Sequence, residues 1–356
     1  MATVYLSAKL NEALLDGLVI PAHPLALDEN RKLDERRQRA LTRYYVASGA
    51  GGIAVGVHST QFEIRDPEHN LYETVLRMAA EEVDAAAPDR PFIKVAGVCG
   101  PAEQALRETA TALGLGYDAV LLSMGGLGQL TEEALLERTR QVAQMMPVIG
   151  FYLQPSVGGR IFSYAFWRAF ADIPNVVAIK MAPFNRYQTL DVARAVCHSA
   201  RRDEIALYTG NDDNIVADLL TAYRFDIDGK TVEKQVVGGL LGHWAVWTQK
   251  AVALLEEIKA ARREPAISME WLTRNVQVTD CNAAFFDPAH QFVGCIPGIH
   301  EVLRRQGLLQ GTWCLNPHER LSPGQAEEID RVYAQYPELN DDAFVASHLE
   351  EWLRAR

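Results

Sequence analysis

Eight short apolar runs, each separated from the next by a segment with helical spacing of its apolar residues, constrain this chain more than any other feature. The runs are LVIPA (18–22), GIAVGV (52–57), FIKVAGV (92–98), AVLLSM (119–124), VIGFYL (148–153), VVAIKM (176–181), IALYTG (205–210) and VVGGLLG (236–242). Helical patterns fall between them, at 34–47, 67–87, 101–113, 131–145, 163–171 and 188–200. Strands that are apolar throughout are buried on both faces, and their alternation with helices indicates a parallel sheet covered by helices. Eight such units in roughly 250 residues fit an α/β fold of the (β/α)8, or TIM barrel, type. A doubly wound sheet is the competing architecture. The absence of a G-x-G-x-x-G after the first strand counts against it.

The barrel is expected to occupy residues 1–262, closing with a long helix at 247–262. Beyond it come a helical stretch at 269–275, an irregular segment at 279–298, and helices at 299–306 and 322–335. Residues 263–356 therefore read as a C-terminal helical extension packed on the barrel. FDIDGKTVEKQ (225–235), ahead of the eighth strand, contains Asp228-Gly229, a hairpin signal, and reads as a small surface insertion.

Of the 356 residues, 48% are hydrophobic and 23% charged, which suits a soluble globular protein. The formal net charge of -11 and the lack of a basic stripe argue against a nucleic-acid partner. No apolar run approaches a membrane span and the N-terminus lacks a signal-peptide core, so a cytoplasmic location is expected. The cysteines, Cys99, Cys197, Cys281, Cys295 and Cys314, are odd in number and show no C-x-x-C spacing, so reduced structural thiols are expected and no metal site.

In such barrels the active site forms at the C-terminal ends of the strands. Those ends carry His23; Val57, His58 and Ser59; Cys99; Ser123; Tyr152; Lys180; Gly210 followed by Asp212 and Asp213; and Gly242. A lysine closing a buried strand is unusual, because an ammonium is costly to bury unless it is paired or loses its proton. A lysine made neutral in this way is a nucleophile for ketones. Lys180 is thus the candidate nucleophile and Tyr152 its hydroxyl partner. Lys94, the other strand lysine, lies near the start of its strand and reads as structural. His23 and His58, at adjacent strand ends, read either as neutral, hydrogen-bonded pocket residues or as an acid/base pair. Asp212 and Asp213 could cap the following helix or hold substrate hydroxyls.

These residues resemble the dihydrodipicolinate synthase/N-acetylneuraminate lyase family of class I aldolases, over roughly residues 16–335. Tyr152-Leu153-Gln154-Pro155 matches the family's Tyr-x-x-Pro, and Lys180, in NVVAIK, stands 28 residues after the tyrosine as the Schiff-base lysine does there. Gly56-Val57-His58-Ser59-Thr60, with Glu68-His69 downstream, is similar to the family's hydroxyl-bearing loop after strand two. Val57 and His58 replace its two hydroxyl residues, so His58 would take over the proton relay while backbone N–H groups cradle a carboxylate. Gly125-Gly126 stands where the synthase has a tyrosine pair and Val157 where it has an arginine, which argues against lysine biosynthesis. Gly210-Asn211-Asp212-Asp213 resembles the lyases' Gly-x-Asp-Glu, which holds sugar hydroxyls.

The resemblance implies catalysis by Lys180, Tyr152 and His58, with Val57, Ser59, His23, Gly210, Asp212, Asp213 and Gly242 binding substrate. It implies a 2-oxo acid, with an aldehyde as the second substrate, no cofactor beyond the covalent Schiff base on Lys180, and a homo-oligomer, dimer or tetramer. Aldol addition or retro-aldol cleavage is the leading reading. A Schiff-base dehydratase of a 2-oxo-3-deoxy acid and a non-catalytic ligand-binding barrel are the alternatives.

Overall fold

The computed structural model describes residues 3–354. The chain runs α1 (Ala8–Asp16), β1 (Val19–Pro21), α2 (Glu35–Ala47), β2 (Gly52–Val55), α3 (Tyr72–Ala86), β3 (Ile93–Val98), α4 (Ala102–Gly114), β4 (Ala119–Leu122), α5 (Glu132–Ala143) and β5 (Val148–Tyr152). It continues through α6 (Tyr164–Ala171), β6 (Val176–Met181), α7 (Arg186–His198), β7 (Ala206–Thr209), α8 (Ile215–Leu220), β8 (Ala222–Ile227) and β9 (Lys230–Leu241). The rest is helical: α9 (Thr248–Ala261), α10 (Glu270–Phe286), α11 (Cys295–Arg305), α12 (Gln325–Gln335) and α13 (Asp342–Trp352). The eight apolar runs all appear as strands, the last as the C-terminal half of β9, and the order is that of a (β/α)8 barrel with added C-terminal helices.

Contacts divide the chain into two compact units, residues up to Leu18 with Ile93–Leu240, and Val19–Phe92 with Leu241 onward. In the first unit the strands pair in parallel in the order β9-β7-β6-β5-β4-β3. β3 and β6 are buried at every position, as strands covered on both faces must be. Helix starts follow from capping. Thr131, Ser163 and Asn185 each accept a hydrogen bond from the backbone of the first turn of α5, α6 and α7. The Tyr208 hydroxyl donates to Leu14 O (2.9 Å) and accepts from Leu18 N (3.1 Å), which ties α1 to β7. Asp228 (φ 54°) and Gly229 (φ 75°) turn β8 into β9, the antiparallel hairpin expected from the Asp-Gly pair.

In the second unit β1 meets β2 through a parallel bridge, Ala22 to Ala54, and His23 N donates to Ala54 O at 2.8 Å. The C-terminal helices pack here against α2. Tyr44 donates to Asp341 (2.8 Å), and Arg43 binds both Glu82 (2.6 Å) and Trp352 O (2.5 Å).

Two expectations need correction. The segment 279–298 is largely helical, in α10 and α11. Its prolines are compatible with helix: Pro288 follows the end of α10, and Pro297 sits in the first turn of α11, where a missing N–H costs nothing. The helix expected from residue 67 starts at Tyr72, because residues 62–65 form a 3₁₀ turn and Asn70 turns left-handed (φ 49°).

Candidate active site

Lys180 lies near the end of β6 and is 8% exposed. Register sets its neighbours: it pairs with Phe151 on β5 and Tyr208 on β7, so those three side chains share one face. Its Nζ stands 4.3 Å from the centroid of the Phe151 ring, an arrangement that favours the ammonium. Its stem crosses Gly210, where a Cβ would lie 2.5 Å from Lys180 Cε and 2.9 Å from the Ala182 Cβ. Glycine is required there for close approach. Burial lowers the Lys180 pKa from 10.5 to about 8, with the Asp212 carboxylate pulling the other way.

The loop carrying Asp212 is fixed by a buried polar network. Asn211, fully buried, accepts from Phe184 N (3.0 Å) and donates to Asp218 (2.8 Å) and Thr189 (3.3 Å). Asp218, on α8 and 1% exposed, also accepts from Thr209 (2.8 Å) and Asn214 (2.9 Å) and pairs with Arg186. Arg186 reaches Asp213 as well, at 3.7 Å. The two adjacent aspartates therefore differ: Asp213 is paired with an arginine, and Asp212 acts on the lysine. Asn214, not either aspartate, occupies the N-cap of α8.

Tyr152 falls elsewhere. It pairs with Met181, one position beyond Lys180, and successive strand residues point to opposite faces. Its ring packs 5.0 Å from Trp167 and 5.8 Å from Phe162, and its hydroxyl accepts from Phe162 N at 3.3 Å. Burial raises its pKa. The structure thus places Tyr152 against α6, on the face away from Lys180, and does not bring the expected pair together. Arg160 is held by Leu130 O (2.8 Å) and lies over the Phe162 ring.

The candidates of the second unit are mostly bound into its framework. His23 is fully buried with both ring nitrogens engaged. Nδ1 lies 2.8 Å from Pro24 O and so carries the proton, and Nε2, 2.9 Å from Thr42 Oγ1, accepts from that hydroxyl. Burial drops its pKa to about 4, so it is neutral at pH 7 and has no ring nitrogen left for substrate. The Ser59 hydroxyl donates to Ala22 O (2.8 Å), and Thr60 donates to His23 O (2.6 Å) while accepting from Gly56 N (3.0 Å). Val57 is buried. His58 opens a 3₁₀ turn, is partly exposed, and has its ring 5.9 Å from that of Phe62. Gly242 gives room to Phe286, whose ring would come within 3.1 Å of a Cβ there.

Sequence reasoning missed Phe151, Arg186, Asn211 and Asp218. Only register could single out Phe151 from its neighbour Tyr152. The polar run Asn211-Asp212-Asp213-Asn214 followed by Asp218 in a short apolar helix was a usable signal, since a buried aspartate needs partners. Lys94, in β3, has its Nζ near Gly116 at the end of α4, away from Lys180's strand end. All five cysteines are free thiols. Among the described residues no cluster of His, Cys, Asp and Glu could hold a metal ion, and no helix is long and apolar enough to cross a membrane.

The 4-hydroxy-tetrahydrodipicolinate synthase of Methylococcus capsulatus is 29% identical over 210 residues, 56% of this chain and 65% of that protein. The enzyme of the same name from Aromatoleum aromaticum is 30% identical over 210 residues, 58% and 65% of the two chains. The matched segments thus span less than two thirds of these relatives' length. Among solved structures, a prophage protein of the dihydrodipicolinic acid synthase family from E. coli K12, in complex with pyruvate, superposes with a TM-score of 0.71. It has 18% identity and covers 92% of this chain and 99% of its own. N-acetylneuraminate lyase from Mycoplasma synoviae gives a TM-score of 0.66 at 14% identity, covering 90% and 98%. These likenesses show the fold. Residues 17–223 match the Dihydrodipicolinate synthetase family, and the chain belongs to that family.

Proposed function

We propose that the protein is a lyase of the class I aldolase type that binds a 2-oxo acid as a Schiff base on Lys180. The observation that carries the reading is a strand-end lysine, buried and held at a pKa of about 8. At pH 7 about a tenth of such an amine is neutral, against about three parts in ten thousand at the ordinary value. That enrichment makes a nucleophile without a cofactor. Attack of Nζ on C2, followed by loss of water, yields an iminium. The iminium takes up the electron pair of C3, so a C3–C4 bond can be made or broken. The aldolase class and the family membership support the same reading, as does the pyruvate carried by one structural neighbour.

The test is borohydride trapping with pyruvate, followed by intact mass and peptide mapping. The expected result is one pyruvate-derived adduct per chain, on Lys180. Absence of any adduct on folded protein, with pyruvate and a panel of other 2-oxo acids, would overturn the proposal.

A further inference from the structure

We propose that the ring of Phe151 belongs to the reaction centre: its face holds the positive charge at the Lys180 nitrogen, first as the ammonium and then as the iminium. The inference rests on the Schiff-base reading and adds to it a residue that stands outside the Tyr-x-x-Pro motif.

Register puts the ring there. Phe151 and Lys180 are direct partners on β5 and β6, so their side chains leave the sheet on the same face. One position on, Tyr152 and Met181 leave on the other, and the Tyr152 hydroxyl is taken up by Phe162 N. A ring without a hydroxyl therefore stands beside the amine. Lys180 Nζ is 4.3 Å from the Phe151 centroid, the shortest cation–ring distance among the described residues, and the others are all made by arginines. Phe151 is 3% exposed and Lys180 is nearly as buried. Water thus competes little for the charge, and the attraction is at the strong end of its range. The stem of the lysine is confined as well. Its Cε and Cγ lie 2.5 and 3.2 Å from where a Cβ on Gly210 would stand, so the stem packs on the β7 side while the nitrogen meets the ring on the β5 side.

The remaining groups around the lysine are few. Tyr208, its partner on β7, has its hydroxyl bonded to Leu14 O and Leu18 N, and burial raises its pKa, so it stays neutral. The Asp212 carboxylate, in the loop after β7, acts on Lys180 through its charge and favours the ammonium. β6 itself carries no other charged residue.

The neutral amine attacks C2 of the 2-oxo acid. The carbinolamine takes up one proton from solvent and loses its hydroxyl as water, which leaves one positive charge shared by nitrogen and C2. That charge sits within one bond of the former ammonium, inside the reach of about 6 Å over which a ring face attracts a cation. The ring therefore favours ammonium and iminium alike and does nothing for the neutral amine. Two effects of opposite sign follow. Below the lysine pKa the ring holds back the nucleophile. Above it the ring strengthens the adduct, because a charge is created over its face.

The experiment replaces Phe151 by mono-, di- and trifluorinated phenylalanine, which drain the ring face of negative charge with little change of shape, and compares Phe151→Leu. Urea midpoints report folding. The first readout needs no substrate: labelling of Lys180 by acetic anhydride across pH, followed by peptide mapping. Its midpoint should fall stepwise with fluorination, by about one pH unit over the series. The second readout is borohydride trapping with pyruvate. In the trifluoro protein the adduct should form up to about tenfold faster well below that midpoint, the equivalent of one pH unit. The pyruvate needed to convert half the protein should rise about tenfold well above the midpoint and stay unchanged below it. A flat midpoint across the fluorinated series overturns the proposal. So does a shift confined to Phe151→Leu, which marks lost packing, or an adduct weakened equally on both sides of the midpoint, which marks a displaced lysine. Wild-type protein that traps no 2-oxo acid removes the Schiff-base reading itself, and the labelling series then still decides whether the ring holds the charge.

Discussion

Lys180 on β6 and His23 after β1 are both basic nitrogens taken out of water, yet their surroundings make different things of them. His23 is met by neutral partners at both ring nitrogens, Pro24 O and Thr42, and burial drops its pKa to about 4. It is a neutral strut. Lys180 meets an aromatic face and feels the charge of the Asp212 carboxylate, and its pKa stops at about 8. It still exchanges its proton near neutrality. Burial alone therefore does not mark a reactive group. What marks it is burial opposed by one charge, which leaves the two protonation states close in free energy. The same contrast runs through the two compact units. His243 and His300, in the unit of His23, are buried, His300 fully, and also lowered to about 4.

The sharpest way to break the comparison is Lys180→Ala. The pyruvate adduct should vanish, and turnover should fall by at least about 1,000-fold, as removal of a covalent nucleophile does elsewhere. Mass spectrometry and a coupled assay read the two effects. Gly210→Ala should come next. The new methyl pushes the lysine stem aside, and a displacement of about 1 Å can cost about 100-fold in rate. Adduct formation should slow by that order while Asp212 is still present.

The histidines predict a stability effect instead. Their folded pKa values lie below the unfolded value of about 6.5, so the unfolded chain binds more protons between pH 6.5 and 4. Stability is therefore complete above that window and is lost as pH falls through it. Each histidine contributes of the order of 2 kcal/mol of loss by pH 5. Urea midpoints at pH 7.5 and 5.0 should show the drop, and His23→Gln, which takes no proton, should flatten its share. The smallest effect belongs to Ser59→Ala. Its hydroxyl donates to Ala22 O, so the change should cost about 1 kcal/mol. Pyruvate trapping should stay unchanged, and a large loss of trapping would show that Ser59 serves the substrate after all.

Much of the fold was legible because a parallel strand announces itself by composition alone. The run VVAIKM needs no partner to be read as buried, and Thr131, Ser163 and Asn185 mark helix starts by their own chemistry. Helix α1 was not legible, since its place depends on the Tyr208 hydroxyl nearly 200 residues away. The candidate site was legible in the same uneven way. The residue type and strand-end position exposed Lys180. The orientation of Tyr152 depends on pairing register, which follows an irregularity between Val148 and Ile149 that no local pattern records. His23 looked available for the same reason: Thr42, which occupies its Nε2, lies on the following helix and carries no motif.

The fit of Lys180 across Gly210 also makes a statement about how such chains vary over time. Where a long stem fills the space over position 210, a Cβ there collides with it at 2.5 Å. The two positions are therefore coupled through volume, and neither can drift freely while the other is kept. Trading the lysine for a short side chain removes the nearer of the two obstacles, and the Ala182 Cβ, 2.9 Å from a Cβ at 210, remains. A side chain can enter position 210 only where both neighbours give way, so the volume over this one glycine ties together three positions on three stretches of chain.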